Sequence, residues 1–204
     1  MLHQRKPQFS VFFFLMFCCF LSAKIYAQHT SMEARVGAFF AADGKARNTY
    51  NTPMPYLELE SSYRFTPCWD MWAAVGCCFD SGRTCRTNID KSFNMIPITL
   101  GLRRLFCIEK KVQGFLGAGV LWSSYHAKIS DCERTWHQNK QAFGAIIRGG
   151  FQVDLAENFT MEFTGDYLFQ YFSLRKVCLS SLQHCVGSVN MSGLKFGIGL
   201  MYNF

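Results

Sequence analysis

The stretch from Val189 to Phe204 alternates between two kinds of side chain. Counted back from the C-terminus, one set is apolar and aromatic and consists of Phe204, Tyr202, Leu200, Ile198, Phe196 and Leu194. The other set is mostly small, polar or charged and consists of Asn203, Met201, Gly199, Gly197, Lys195 and Gly193. A period of two predicts a β-strand. The stretch is longer than the roughly 9–11 residues with which a strand crosses a bilayer, and aromatics end its apolar face.

Seven earlier segments show the same alternation and predict seven more strands. Glu58, Glu60 and Arg64 alternate with Leu57, Leu59 and Phe65 in the clearest of them. In the segment from Lys111 to Trp122 the inner set also contains Phe115 and Leu121, which weakens the pattern. The predicted strands are Met32–Ala41, Tyr56–Phe65, Asp70–Asp80, Phe93–Phe106, Lys111–Trp122, Ala142–Leu155 and Asn158–Phe172, followed by Val189–Phe204.

The connections between these strands alternate in length. Residues 66–69, 107–110 and 156–157 form short connections, whereas residues 42–55, 81–92, 123–141 and 173–188 form long polar ones. Short turns at one end and long loops at the other are typical of a membrane barrel. The sequence therefore predicts an all-β fold, an eight-stranded antiparallel up-and-down transmembrane β-barrel.

Two motifs in the predicted central strands resemble a known family. Ile96 to Arg103 reads IPITLGLR, and Gly114 to Val120 reads GFLGAGV. Together they are similar to the centre of small eight-stranded outer-membrane barrels of the OmpA, OmpX and OmpW kind. A final strand that ends on Phe204 resembles the last-strand signature of bacterial outer-membrane barrels. The resemblance implies a fold and a bacterial outer-membrane location but no chemistry, and the many cysteines depart from the family.

The N-terminal segment predicts export. Arg5 and Lys6 precede the apolar run from Phe9 to Leu21, and small residues lie between Ala23 and Ala27. This arrangement is typical of a signal peptide, here residues 1–27 with cleavage after Ala27, which leaves residues 28–204 as one barrel domain. An uncleaved anchor helix is the alternative, although the run is short for a span.

The formal net charge of +7 includes three basic residues of the leader, Arg5, Lys6 and Lys24. The remaining basic balance is mild and does not indicate nucleic acid. Basic residues nevertheless outnumber acidic ones in the four long connections, which fits attraction to anionic surfaces. They are Lys45, Arg47, Arg83, Arg86, Lys91, Lys128, Arg134, Lys140, Arg175 and Lys176, against Asp43, Asp90, Asp131 and Glu133.

Cysteines indicate an oxidising compartment. Ten are present, and eight of them follow the predicted leader, an even number that favours disulfides in an exported chain. Cys178 and Cys185 share one long connection and are candidate partners. Cys68 and Cys107 lie in short turns at the same end of the predicted barrel and form a second candidate pair. Cys85 and Cys132 lie in different long connections, and intermolecular bridges stay open for any exposed cysteine.

The inner faces of the predicted strands carry acids and bases together. An eight-stranded barrel is just wide enough for side chains to fill it, and buried charges must pair. We therefore expect an ion-paired plug, with a gated ion path as the alternative. The candidate residues of this lumen charge network are Glu33, Arg35, Glu58, Glu60, Arg64, Arg103, Arg148, Glu162, Asp166 and Lys195, to which Asp70 and Asp154 add inward-facing acids.

Catalytic and metal sites are less well supported by the sequence. Some barrels of this size modify the lipid part of lipopolysaccharide with His, Ser and acidic groups. The candidates here are His126, His137, His184, Ser123, Ser124 and Ser180. Because Tyr125-His126-Ala127 is expected to begin a loop, the sequence predicts no catalytic site. Cys178, His184 and Cys185 lack the spacing of a zinc site, and no metal or cofactor is predicted.

The expected function is a structural or surface-interaction role in the outer membrane, with disulfide-capable basic loops. A narrow channel for small solutes or ions is the alternative, and a lipid A-modifying membrane enzyme is a third reading. Expected partners are outer-membrane lipid and lipopolysaccharide, and the barrel assembly machinery through Phe196, Ile198, Leu200, Tyr202 and Phe204. Cysteine-bearing envelope proteins and host polyanions are further candidates.

Overall fold

The computed structural model describes residues 30–44, 53–84, 89–130, 135–178 and 185–204. It describes side chains within these ranges except at residues 80–93, 127–138 and 173–189. The predicted signal peptide, Cys85, Cys132, Ser180 and His184 lie outside the described residues. Among the described residues, no helix is long and apolar enough to cross a membrane.

The described chain is almost entirely β-strand. The strands are β1 Thr30–Ala41, β2 Met54–Thr66, β3 Trp69–Thr84, β4 Ile89–Glu109, β5 Val112–Ser130, β6 Thr135–Asp154, β7 Phe159–Cys178, β8 Cys185–Asn190 and β9 Gly193–Asn203. Each strand pairs antiparallel with its neighbours, and β9 pairs with both β1 and β7. The sheet therefore closes on itself as an up-and-down barrel, which confirms the predicted fold class.

β8 and β9 together take the place of the eighth strand of the barrel. The strand predicted from Val189 to Phe204 is interrupted at Met191 and Ser192, where the backbone of Gln170 bonds to the Ser192 hydroxyl. Tyr171 opposes Asn190, and Leu168 opposes Gly193, so the register is the same on both sides of the interruption. The break is local and leaves the barrel closed.

Three of the long connections were predicted to be longer than they are. Residues 81–92, 123–141 and 173–188 were expected as loops, but β3 to β7 continue far into them and reach 16 to 21 residues. Beyond a bilayer both faces of a strand meet water, so the apolar alternation that marks a strand disappears. The backbone hydrogen bonds to the neighbouring strand persist, since each unpaired polar group would be costly.

The two ends of the barrel differ. At the turn end, Pro67–Cys68, Lys110–Lys111 and Leu155–Asn158 connect the strands, and Phe204 bonds to Thr30. At the loop end, β3 to β7 extend past the others. These two ends are called the turn end and the loop end.

The two faces of the wall follow the sequence alternation. Outward side chains form an apolar belt, with Val36, Leu100, Val120 and Ile198 each about half exposed. On β5 the belt runs from Val112 to Trp122 and on β6 from Phe143 to Val153, a length that matches a bilayer crossing. Inward side chains, by contrast, are buried and polar toward the turn end.

Candidate functional site

The lumen of the turn-end half is filled by an ion-paired cluster. Arg35 lies at its centre, because its Nη1 donates to Glu58 at 2.6 Å and its Nη2 donates to Glu162 at 2.6 Å. Its Nε and Nη2 also donate to the two oxygens of Glu33, at 2.9 and 2.8 Å. Glu33 and Arg35 both face inward because they are two residues apart on β1, whereas Glu162 comes from β7 and lies beyond Gly199 of β9, which opposes both Arg35 and Glu162.

Two further arginines complete this cluster. Arg103 donates to Asp70 at 2.7 Å and to Glu162 at 3.0 Å. Arg148 forms paired contacts of 3.0 Å with the two oxygens of Asp166, and it also bonds to Glu60. All of these charged groups are buried, so their pairing offsets a large desolvation cost.

Lys195 joins the last strand to the cluster. Its ammonium lies 2.6 Å from Glu58 and 2.9 Å from Asp166. Nine of the ten network residues proposed from the sequence are therefore brought into one set of contacts. Arg64, the tenth, is half-buried at the turn end, beside a small vestibule of about 130 Å³ that Asp70 and Asn203 also line.

A cation site within this cluster is already filled by protein. The carboxylates of Glu33, Glu60 and Glu162 come within 4.8 Å of one another, a spacing that suits a metal ion. Arg35 donates to all three, so a guanidinium occupies the place that a cation would take. The donors fit a structural ion-pair cluster better than a metal centre.

The loop-end half of the lumen is filled by apolar side chains, which we call the apolar layer. Tyr125 and Phe172 pack against each other within it, with their rings tilted by 39° and their centres 5.3 Å apart. Other members, such as Met54 and Met95, are fully buried. The layer consists of Phe39, Met54, Trp72, Met95, Leu121, Tyr125, Ile146, Leu168, Phe172 and Met191.

Inward-facing glycines give the larger lumen side chains their space. A Cβ at Gly197 would overlap the hydroxyl of Tyr56, and one at Gly101 would lie 2.6 Å from the Trp72 ring. These glycines are needed because a neighbouring aromatic occupies the volume of their missing side chain. They lie on the inner face that the alternation assigned to small residues.

Several lumen residues were missed from the sequence. The alternation gives no signal for Trp72, and Phe115 and Leu121 weaken the polar inner pattern of β5. Phe115 in fact lies under the Arg103 guanidinium at 5.2 Å, and Leu121 belongs to the apolar layer. The alternation places Gln152 on the inner face, and the structure adds it to the charge network, because it donates to Glu162 at 2.6 Å. Apolar residues at inward positions of a strand, such as Phe115 and Leu121, were the available signal that part of the lumen is apolar.

The cysteines divide into two groups. Cys68 and Cys107 are free and exposed at the turn end, Cys77 is half-buried, and Cys78 is buried in the lumen. A bridge between Cys68 and Cys107 therefore stays a prediction. Cys178 and Cys185 directly oppose each other in the β7–β8 register.

The predicted C-terminal signature lies on the outer face. Phe196, Ile198, Leu200, Tyr202 and Phe204 are all exposed. Tyr202 packs edge-on against Phe204 with ring centres 5.0 Å apart, and against Phe159 at 5.2 Å. These rings form part of an aromatic edge at the turn end of the apolar belt, as membrane barrels have at their interfaces.

The expectation that Tyr125-His126-Ala127 begins a loop is wrong. These residues lie inside β5, with His126 opposite Asn94 on β4 and Asn139 on β6. Ser124 and His126 share the outer face, and Ser124 Oγ lies 3.2 Å from His126 Nε2. His126 Nδ1 lies 2.7 Å from Asn139 Oδ1. Ser123 points the other way and is buried in the lumen.

No protein-family model and no curated protein sequence matches the chain. Solved structures match its fold. The outer membrane protein OprG from Pseudomonas aeruginosa has a TM-score of 0.62 and 15% identity, over 87% of this chain and 96% of that one. Neisserial surface protein A has a TM-score of 0.56 and 12% identity, over 86% and 97%. Ail, the attachment invasion locus protein of Yersinia pestis, in complex with the heparin analogue sucrose octasulfate, has a TM-score of 0.50 and 15% identity, over 85% and 96%.

Proposed function

Because the chain has the fold of the small eight-stranded outer-membrane barrels, we propose that it is an integral protein of a bacterial outer membrane. In this proposal the barrel is a closed support, and its loop end interacts with anionic polymers outside the cell. The turn end then faces the periplasm, as short turns do in outer-membrane barrels. The observation that carries the proposal is the lumen that the described side chains fill, since a filled barrel leaves its outer surface as the place for function.

The lumen supports a closed barrel at two levels. Buried ion pairs occupy the turn-end half, and the apolar layer occupies the loop-end half. A hydrated ion that crossed this path would have to separate Arg35 from its carboxylates and then enter an apolar region. Both steps cost free energy, and the apolar layer provides no polar groups that could compensate for it.

The raised strands at the loop end support surface interaction. β4 and β5 run about twice as far as a bilayer crossing requires, so they hold a paired sheet above the membrane. The sequence of these segments is rich in lysine and arginine, among them Arg83, Lys91, Lys128, Arg175 and Lys176. Basic residues in these segments attract polyanions such as sulfated polysaccharide or the phosphates of lipopolysaccharide. The Ail structure contains a heparin analogue, which agrees with such a role for this fold.

Binding of immobilised heparin to the full chain in lipid nanodiscs tests this proposal. We expect saturable binding that weakens as salt rises, because the attraction is electrostatic. The double variant Arg175→Gln with Lys176→Gln should weaken it by several-fold. The matched control, Lys110→Gln with Lys111→Gln, removes two charges at the turn end and should leave binding unchanged. No binding, or equal loss in both variants, would contradict the proposal.

Single-protein conductance separates the channel alternative. We expect no steps of current from the folded protein in planar bilayers. Regular steps that survive purification would favour a channel and reject the closed support.

We also propose that the outward residues of β9, which end at Phe204, are recognised by the barrel assembly machinery. Deletion of Phe204 should slow assembly of the barrel in cells, measured as loss of the heat-shifted gel band. Substitution of the exposed Phe143, which lies outside the last strand, is the matched control and should leave assembly unchanged.

A further inference from the structure

A hydrogen-bonded Ser–His–Asn arrangement lies on the outer wall of the barrel, apart from the lumen. Ser124 Oγ lies 3.2 Å from His126 Nε2, and His126 Nδ1 lies 2.7 Å from Asn139 Oδ1. Two neighbouring strands hold the three residues, because Ser124 and His126 are two apart on β5 and Asn139 directly opposes His126 on β6. Regular strands fix such a geometry more firmly than a loop would.

The contacts set the tautomer of the histidine. The carbonyl oxygen of Asn139 accepts a hydrogen bond, so Nδ1 of His126 carries the proton that it donates. Nε2 then presents a lone pair toward Ser124 and can accept the hydroxyl proton. This is the arrangement of a serine nucleophile, its general base and an orienting group, with an amide in the third role.

The height of Ser124, His126 and Asn139 on the outer wall indicates which kind of molecule contacts them. On β5 the outward side chains change from Val120 and Trp122 to Ser124 and His126, so the serine lies one outward position above the apolar belt. Phe143, which opposes Trp122 on β6, is 81% exposed. Aromatic side chains mark the interface of a membrane barrel. The nucleophile therefore lies at the level where the acyl chains of a lipid meet its head group.

We infer that Ser124, His126 and Asn139 form a catalytic site that cleaves acyl esters of lipids in the outer leaflet. Ser124 Oγ attacks the ester carbonyl carbon while His126 Nε2 takes its proton. The tetrahedral adduct collapses, the carbon–oxygen bond to the lipid alcohol breaks, and the alcohol leaves with that proton. Water then adds to the acyl-serine with the same proton transfers, releases the fatty acid and restores Ser124.

Neighbouring side chains suit the substrate. Gln141 opposes Ser124 on β6 and is exposed on the same face, so its amide is available to donate to the developing oxyanion. Ile96 opposes Ser124 on β4, and Trp122 lies on the membrane side. Apolar groups thus lie beside and below the serine, where an acyl chain would pack, and the polar His126 and Asn139 lie above it.

Lipid mass spectrometry of the full protein in proteoliposomes tests the inference. One set of vesicles contains phospholipid alone, and a second contains lipopolysaccharide, so that the two sources of acyl ester are distinguished. Ser124→Ala and His126→Ala are compared with Ser123→Ala, which makes the same change one residue away on the lumen side. Heat-shifted gel mobility verifies that each variant is folded.

We expect free fatty acid and the matching deacylated lipid to form at equal rates in at least one set. Ser124→Ala and His126→Ala should lower the rate by at least about 100-fold, whereas Ser123→Ala should retain it. Asn139 is a positioning residue, so Asn139→Leu should lower the rate and Asn139→Asp should restore it. A fluorophosphonate probe should label the wild type at Ser124. Unchanged lipids in both sets together with no label at Ser124 would overturn the inference, as would equal rates in folded Ser124→Ala and Ser123→Ala.

Discussion

The guanidinium of Arg148 lies over the ring of Trp72, with its central carbon 4.1 Å from the ring centre. This contact joins the two halves of the lumen, because Arg148 belongs to the charge network and Trp72 to the apolar layer. The indole ring attracts the Arg148 cation, so the guanidinium has an electrostatic partner on the face that no carboxylate contacts. The lumen therefore changes from charged to apolar without leaving the guanidinium against a bare hydrocarbon surface.

Replacement of Arg148 should destabilise the barrel strongly. Arg148→Met leaves Asp166 and Glu60 buried without this partner, and removal of one member of a buried ion pair costs about 3–5 kcal/mol. The control Arg64→Met removes a half-buried arginine at the turn end and should cost at most about 1 kcal/mol. Reversible guanidinium unfolding in lipid vesicles, followed by tryptophan fluorescence, measures both. Equal losses would show that the network does not hold the barrel together.

The wall was more predictable than the lumen for a physical reason. Outward and inward residues follow from a period of two, so the faces of β1, β2 and β9 could be assigned residue by residue. Which charges meet inside depends on strand tilt and stagger, which no local pattern records. The contact of Arg35 with Glu162 joins β1 to β7 past β9, and it could not be deduced from spacing.

The loop end illustrates a second limit of the sequence. Strands that rise out of a membrane lose their apolar face, so the sequence of β5 beyond Trp122 predicts a loop where the structure has a strand. The same error hid the proximity of Ser124 and His126, which a strand places on one face and a loop does not. The available signal was that Ser124 and His126 continue the outward positions of β5 after Trp122, which is typical of a strand.

A side chain larger than hydrogen at position 197 should destabilise the barrel because it would overlap Tyr56. Gly197→Ala puts a methyl group against the Tyr56 hydroxyl and 3.0 Å from the Arg35 side chain, an overpacking that costs about 1–3 kcal/mol. Tyr56→Phe removes the hydroxyl, so the double variant should recover part of the loss. In Gly149→Ala the nearest atom lies at an ordinary 3.6 Å, and the effect should stay within about 0.5 kcal/mol. The same unfolding assay would contradict this account if all four variants lost stability equally.

A disulfide between Cys178 and Cys185 is expected in protein from native membranes. Directly opposed residues of an antiparallel pair have Cα atoms about 4.5–5.5 Å apart, within the range that a disulfide spans. Non-reducing peptide mapping should find these two cysteines linked, and reducing agent should alter protease sensitivity at the loop end. Cys68 and Cys107 are exposed at the turn end, and the same map decides whether they are linked. Recovery of Cys178 and Cys185 as free thiols before reduction would reject the expected bridge.

A membrane-spanning barrel requires that its outer apolar face contacts lipid. Spin labels at positions 120 and 198, with the native cysteines replaced by serine, measure this directly in bilayers, because Val120 and Ile198 are 62% and 52% exposed on the outer wall. We predict that both labels will be relaxed strongly by oxygen, which dissolves in acyl chains, and weakly by a water-soluble nickel chelate. Labels shielded from both reagents, as in a sheet packed against a second sheet, or labels open to the chelate would contradict a membrane-spanning barrel.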